Sequence, residues 1–115
     1  MQQRIGFEPG PSDGSEPLKQ IFISRAAEQD LLDGYWFYEG QQEGIGTYFL
    51  DSLIADIDSL ALFGGVHAKP HGEFFRALSK RFPFAIYYTE ANDQVIVVAV
   101  LDCRQNPASI TQRLS

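Results

Sequence analysis

The sequence predicts an α+β domain in which an N-terminal strand and an antiparallel helical hairpin precede a three-stranded antiparallel sheet. Three observations predict it. Apolar residues recur at helical spacing over residues 25–42 and again over 47–63, with Gly44 and Gly46 breaking the pattern between them. Residues 84–88, FAIYY, are β-branched and aromatic, and the polar stretch 90–94 after them has the composition of a hairpin loop. Residues 95–101, VIVVAVL, form a nearly unbroken apolar run, which suits a central strand covered on both faces.

Each element has its own signal. Residues 1–17 are rich in Gly, Pro, Ser and Asp without apolar periodicity, so residues 1–18 are expected to form a flexible tail and 19–115 the domain. KQIFI, at 19–23, is a short apolar strand. Ser24 is an N-cap candidate without a capping box, because Ala27 rather than Glu stands three residues on. Ala27, Leu31, Tyr35 and Tyr38 mark the first helix. Phe49, Leu50, Leu53, Ile54, Ile57, Leu60 and Ala61 mark one broad stripe of the second, with Asp51 and Asp58 opposite and Gly64-Gly65 at its end. A loop is expected over 66–72, and the sheet starts over 74–79. Pro83 stands between two strands, where its missing N–H is tolerated. Asn106-Pro107 ends the last strand, leaving 108–114 to form a short helix or a further strand. No internal repeat is visible.

The 115 residues fit one domain, long enough to bury roughly two thirds of its unfolded surface. No apolar run approaches the ~20 residues of a membrane helix, and no basic region followed by an apolar block suggests a signal peptide. Cys103 is the only cysteine, which fits a reducing cytoplasm. The net charge of −6 makes the domain a poor default binder of nucleic-acid backbones. Residues 25–63 hold eight acidic residues against Arg25 alone, a pattern typical of a solvated helical face. Residues 69–81 reverse the balance, with Lys69, Arg76, Lys80 and Arg81 against Glu73.

Three stretches resemble the RelE/ParE superfamily of toxins from type II toxin–antitoxin systems. AAEQDLLDGYWFYEGQQEGIGTYFLDSL resembles its helical hairpin, with an aromatic-rich first helix and a Gly-x-Gly break. FRALSKRFPFAIYY resembles its arginine-led strand and the strand that follows, and VLDCRQNP its final-strand signature. The resemblance spans residues 20–114 and implies a β-α-α-β-β-β fold, a cytoplasmic location, a cognate antitoxin as partner, no cofactor, and a homodimer or toxin–antitoxin hetero-oligomer.

The same resemblance implies two mechanisms. ParE-like members, of the plasmid stabilisation type, inhibit growth by binding DNA gyrase and are not enzymes; the Phe82-Pro83-Phe84-Ala85 run is closer to that branch. RelE-like members are ribosome-dependent endoribonucleases that cut messenger RNA. Their basic groups stabilise charge on a phosphate while others move protons. In that alternative Arg76, Arg81 and Arg104 act with Tyr87 or Tyr88. The arginine such members carry in the strand at 84–88 is replaced here by Ala85, and the C-terminal aromatic is absent from 108–114. A decayed toxin that keeps only antitoxin binding is the third reading. The expected partner-binding residues are Arg76, Lys80, Arg81, Arg104 and Trp36.

Single residues have plainer readings. Arg76 either lines a cleft or pairs with Asp30 or Asp33. Lys80 and Arg81 fall in a turn that is ordinarily solvated. Arg104 is the strongest site candidate, with Asp102 beside it to hold its guanidinium in a fork. His67 and His71 are four apart, but Pro70 disfavours the helix that would align them, and no further ligands stand nearby, so no metal site is expected. Cys103 is expected to be a buried, inert thiol. Tyr35 to Tyr38 place four aromatics around one helix, so one is expected on the sheet and another facing a partner.

Overall fold

The computed structural model describes residues 18–70 and 72–115. The tail expected over residues 1–18 lies outside them except for Leu18, and so does His71. The elements are β1 (Gln20–Ile23), α1 (Arg25–Gln41), α2 (Ile45–Asp58), α3 (Leu60–Phe63), β2 (Phe75–Leu78), β3 (Phe84–Ala91), β4 (Gln94–Asp102) and α4 (Pro107–Leu114). The strands form one sheet in the order β1-β4-β3-β2. Strands β2, β3 and β4 are antiparallel neighbours, and β1 joins the sheet parallel to β4, with Ile21 opposite Val95 and Ile23 opposite Val97.

Ser24 both ends β1 and starts α1. Its amide donates to the Val97 carbonyl at 2.9 Å, and its hydroxyl accepts the Ala27 amide at 3.0 Å. That is the N-cap expected from the sequence. The hairpin between α1 and α2 is closed by a carboxylate. Glu39 accepts the Gly44 amide on both oxygens (3.1 and 3.0 Å) and the Gly46 amide at 2.9 Å. Its charge thereby meets the free N–H groups and positive end of α2. Gly44 itself sits at φ 93, a conformation that favours glycine.

The second helix is shorter than the expected 47–63. The Ser59 hydroxyl donates to the Asp56 carbonyl at 2.6 Å, and the helix breaks there into α2 and α3. The β3–β4 connection is also tighter than the expected loop over 90–94. Asn92 and Asp93 alone make the turn, both at positive φ (50 and 65), the conformation that matches the twist of a two-residue hairpin. Residues 107–114 resolve to a helix: the Asn106 side chain accepts the Ala108 amide at 2.7 Å and Pro107 takes the first turn.

One face of the sheet carries the main core. Ile21, Ala27, Leu31, Phe49, Leu53, Ile57, Ile86, Tyr88, Val95 and Val97 are buried together between strands and helices. Tyr38 is the aromatic of α1 that turns inward, stacking on Phe49 at 5.1 Å and meeting Phe82 edge-on at 5.0 Å. A Cβ at Gly34 would run into the Phe49 ring, so this glycine sets how closely α1 and α2 approach. Ile54, expected in the buried stripe, is exposed at the edge of that packing. The opposite face is covered only in part, by Ile110 and Leu114 of α4 over Ala85, Tyr87, Ala99 and Leu101.

Among the described residues no strand pairs with the outer edge of β4 beyond Val97. Asp30 of α1 fills the gap: its Oδ2 accepts the Val100 amide at 2.9 Å, and both its oxygens take the Arg113 guanidinium of α4 (2.8 and 2.7 Å). The expected pairing of Arg76 with Asp30 therefore does not form. Arg76 and Asp30 belong to opposite edges of the sheet, and Arg113 holds the carboxylate. Gly34→Ala is expected to lower stability by about 1–3 kcal/mol through overpacking. Asp30→Ala is expected to cost about 1–3 kcal/mol, and Arg113→Ala less, because Asp30 still meets the Val100 amide. Urea unfolding of the three variants checks both sizes and order.

Candidate functional site

The candidate residues separate into four places. Arg76 lies on β2 directly opposite Tyr87 of β3. Its neighbour Ala77 points into the main core, so by the alternation of a strand Arg76 and Tyr87 face away from the helices. Tyr87 is buried, and that burial raises its phenol above the ordinary value. The positive charge and hydrogen bonding of Arg76 pull the other way without overcoming it. A phenol held neutral at pH 7 donates a hydrogen bond but does not take up a proton.

Cys103 borders the same place, and here the sequence expectation needs correcting. The residue is exposed rather than buried, because β4 ends at Asp102. Its thiol is nonetheless shielded enough that burial raises its pKa. Arg76 and Arg104 lower it less strongly, and Asp102 adds to the rise. The group therefore remains a thiol at neutral pH, held so chiefly by desolvation.

Arg104 stands just past the end of β4, exposed, with one edge of its guanidinium engaged by Asp102. It donates from Nε to Asp102 Oδ1 at 2.9 Å and from Nη2 to Oδ2 at 2.7 Å, while the Arg104 amide meets Oδ1 at 2.8 Å. These hydrogen bonds hold the Asp102 carboxyl below its usual range and raise Arg104 further above its own. The fork expected from the sequence is formed.

Lys80 and Arg81 lie exposed in the bend between β2 and β3. The bend is fixed by Asp56, whose Oδ2 accepts the Ser79 hydroxyl at 2.8 Å and the Lys80 amide at 3.2 Å. It is tied to the end of β4 as well, through the Cys103 amide and the Pro83 carbonyl at 2.8 Å. Lys80, Arg81 and Arg104 thus gather at one end of the sheet. Asp56 was not among the expected site residues. The signal for it was a carboxylate inside the apolar stripe, between Leu53 and Ile57.

Tyr88 is placed apart from Arg76. It is fully buried on the helix side, stacked on Phe75 at 5.0 Å. Its hydroxyl accepts the Gly65 amide at 3.0 Å and shares a 2.7 Å hydrogen bond with His67 Nδ1. Both groups anchor the loop after α3. Of the two tyrosines considered with the arginines, only Tyr87 shares a sheet face with Arg76. Among the described residues no group of three or more His, Cys, Asp or Glu is placed to hold a metal ion, and no helix is long and apolar enough to cross a membrane.

Trp36 stands on the outer side of α1, 66% exposed, and Phe37 beside it is 56% exposed. Between α1, the open edge of β4 and α4 runs a groove of about 490 Å³, lined among others by Asp33, Gly34, Phe37, Val100 and Asp102. Such an apolar floor with a few polar groups is a common form of binding site.

No family model matches the chain, and no curated protein matches it. Among solved structures it resembles a chain from the "Chromosomal ParDE TA system from P. aeruginosa", with a TM-score of 0.66. The two share 13% sequence identity over 72% of this chain and 94% of that one. The likeness is one of fold, and it agrees with the RelE/ParE-like β-α-α-β-β-β arrangement.

Two measurements probe this geometry. In an ultraviolet titration compared against Tyr87→Phe, the Tyr87 phenol is expected to ionise above the ordinary tyrosine value of about 10. Arg76→Ala should move it higher still by removing the lowering influence. The Asp102 carboxyl, depressed on folding, adds stability above its unfolded value near 3.9 and loses it as pH falls through the lower folded value. Asp102→Asn should therefore flatten the acid limb of a melting-temperature profile below about pH 4.

Proposed function

We propose that the chain is the toxin component of a type II toxin–antitoxin system, acting in the cytoplasm and neutralised by a cognate antitoxin. The observation that carries this is the match in fold to a chain of a ParDE system across nearly the whole of that chain. The sequence resemblance, drawn from separate motifs along residues 20–114, leads to the same place.

Within that class we favour a ParE-like toxin that poisons DNA gyrase by binding it. The strand at the centre of the alternative nuclease site offers Ala85, buried and chargeless, where a catalytic arginine would be needed. Arg104 gives its Nε and one Nη2 donor to Asp102, and Tyr88 faces the other side of the sheet from Arg76. For RNA cleavage, Arg76 with a neutral Tyr87, and Arg81 and Arg104 at the end of the sheet, can stabilise phosphate charge but supply no base. A protein target suits an acidic chain better than a polyanion does.

The first experiment is induction in a bacterial host lacking the antitoxin, following DNA and protein synthesis by label incorporation. DNA synthesis is expected to fall first. An earlier fall in protein synthesis would point to the ribosome and messenger RNA, and growth without either fall to a decayed toxin that keeps only antitoxin binding. In the gyrase case Arg104→Ala is expected to leave toxicity within a few-fold of the parent. In the ribonuclease case the same substitution removes cleavage, typically a hundredfold or more for a group acting on developing charge. Primer extension on cellular messenger RNA reads that difference.

A further inference from the structure

A second pocket, of about 320 Å³, opens between α3, the loop after it and β2. It lies on the helix side of the sheet and shares no residue with the groove beside α1. Leu60, Ala77 and Ile86 of the core line it, and Phe63 and Leu78 stand more than half exposed at its rim. That size and that apolar lining suit a small molecule.

Two polar groups in the lining are left without partners. Asp56, only 9% exposed, gives its Oδ2 to the Ser79 hydroxyl and the Lys80 amide, while its Oδ1 has no hydrogen-bond partner among the described residues. A carboxylate oxygen on so buried a side chain ordinarily has a donor. The second group is His67, whose tautomer follows from Tyr88. The Tyr88 hydroxyl is fully buried and accepts the Gly65 amide, so among the described residues its own proton has one acceptor, His67 Nδ1 at 2.7 Å. The hydrogen-bond network therefore assigns the neutral ring's proton to Nε2. That N–H has no partner among the described residues, and His67 lines the pocket.

We propose that this pocket binds a neutral small molecule with an amide edge on a flat apolar body, that is, an aromatic amide. The amide N–H donates to Asp56 Oδ1, and the amide carbonyl accepts from His67 Nε2. A ligand with both a donor and an acceptor meets both open groups, whereas one with either alone leaves the other unmet. Charge selects a neutral molecule. The Lys80 side chain lines the pocket with Asp56, so one ammonium opposes one carboxylate and a charged ligand gains from one only by meeting the other. Phe63 and His67 bring two rings to the wall, which suits a flat body. Water can satisfy the two polar groups but leaves the apolar lining uncovered. The inference stands without the toxin reading.

Proton–nitrogen correlation spectra of the full, isotope-labelled chain are recorded while benzamide is added. The backbone signals of His67, Ser79 and Lys80 are expected to shift and to saturate, with a dissociation constant on the order of a millimolar. N,N-dimethylbenzamide keeps the acceptor and loses both donors, and should bind about tenfold more weakly. Benzoate sets a second carboxylate against Asp56 and should not saturate. Asp56→Asn keeps one oxygen for Ser79 and Lys80 and presents an NH₂ group to the pocket. It should weaken benzamide about tenfold and leave the dimethyl compound unchanged, with a dispersed spectrum showing that the variant folds. No saturation by benzamide overturns the proposal, as does equal binding of the dimethyl compound or of benzoate, or unchanged affinity in a folded Asp56→Asn chain. A His67 ring proton found on Nδ1 by long-range proton–nitrogen correlation overturns it too. If Asp56→Asn does not fold, the ratio of benzamide to dimethylbenzamide binding in the parent chain decides.

Discussion

The pairing of β1 with β4 stops at Ser24, and much of the molecule follows from that stop. Ser24 gives its amide to the strand and its hydroxyl to the helix, so the chain leaves the sheet after only four strand residues. The edge of β4 beyond Val97 then lacks a strand neighbour among the described residues, and an open edge with unmet amides is costly in a buried setting and hazardous in an exposed one. Asp30 meets the Val100 amide and binds Arg113, which draws α4 across the far face. The groove beside α1 is the space this arrangement leaves.

Much of the fold was legible because its signals are local. The helix start at Ser24, the glycine break between the helices, the long apolar strand and the polar turn before it each depend on a few neighbouring residues. What could not be read depends on partners far apart in sequence. Asp30 and Arg113 are 83 residues apart, and nothing in either segment announces the pair. Arg76 was weighed against Asp30 for that reason, since charge alone does not choose between two arginines. The direction of β1 was equally silent, because a five-residue apolar segment pairs as well either way. The break at Ser59 was missed because its hydroxyl competes with the helix through a hydrogen bond that apolar periodicity does not register.

The candidate site was legible in residue types and not in faces. Tyr87 and Tyr88 are adjacent in the chain, yet one faces Arg76 and the other His67, and only the phase of the strand decides which. Cys103 shows the same limit in another form. A thiol beside an apolar strand suggests burial, but the strand ends one residue earlier. The Asp102–Arg104 fork was foreseeable because both members lie within one turn of chain. It turns the strongest-looking cation of the sequence into half of an ion pair.

The Ser24–Val98 contact spans 74 residues, whereas the helical hairpin and the β3–β4 hairpin close over short loops. Closing a long loop is entropically the slower event. Strand β1 therefore waits, during synthesis, until nearly the whole domain has been made. The helices can collapse early around Phe49, but the sheet that organises the groove and draws in α4 is assembled last. A growing chain thus passes through translation without its finished surface, which it acquires only once β4 is available.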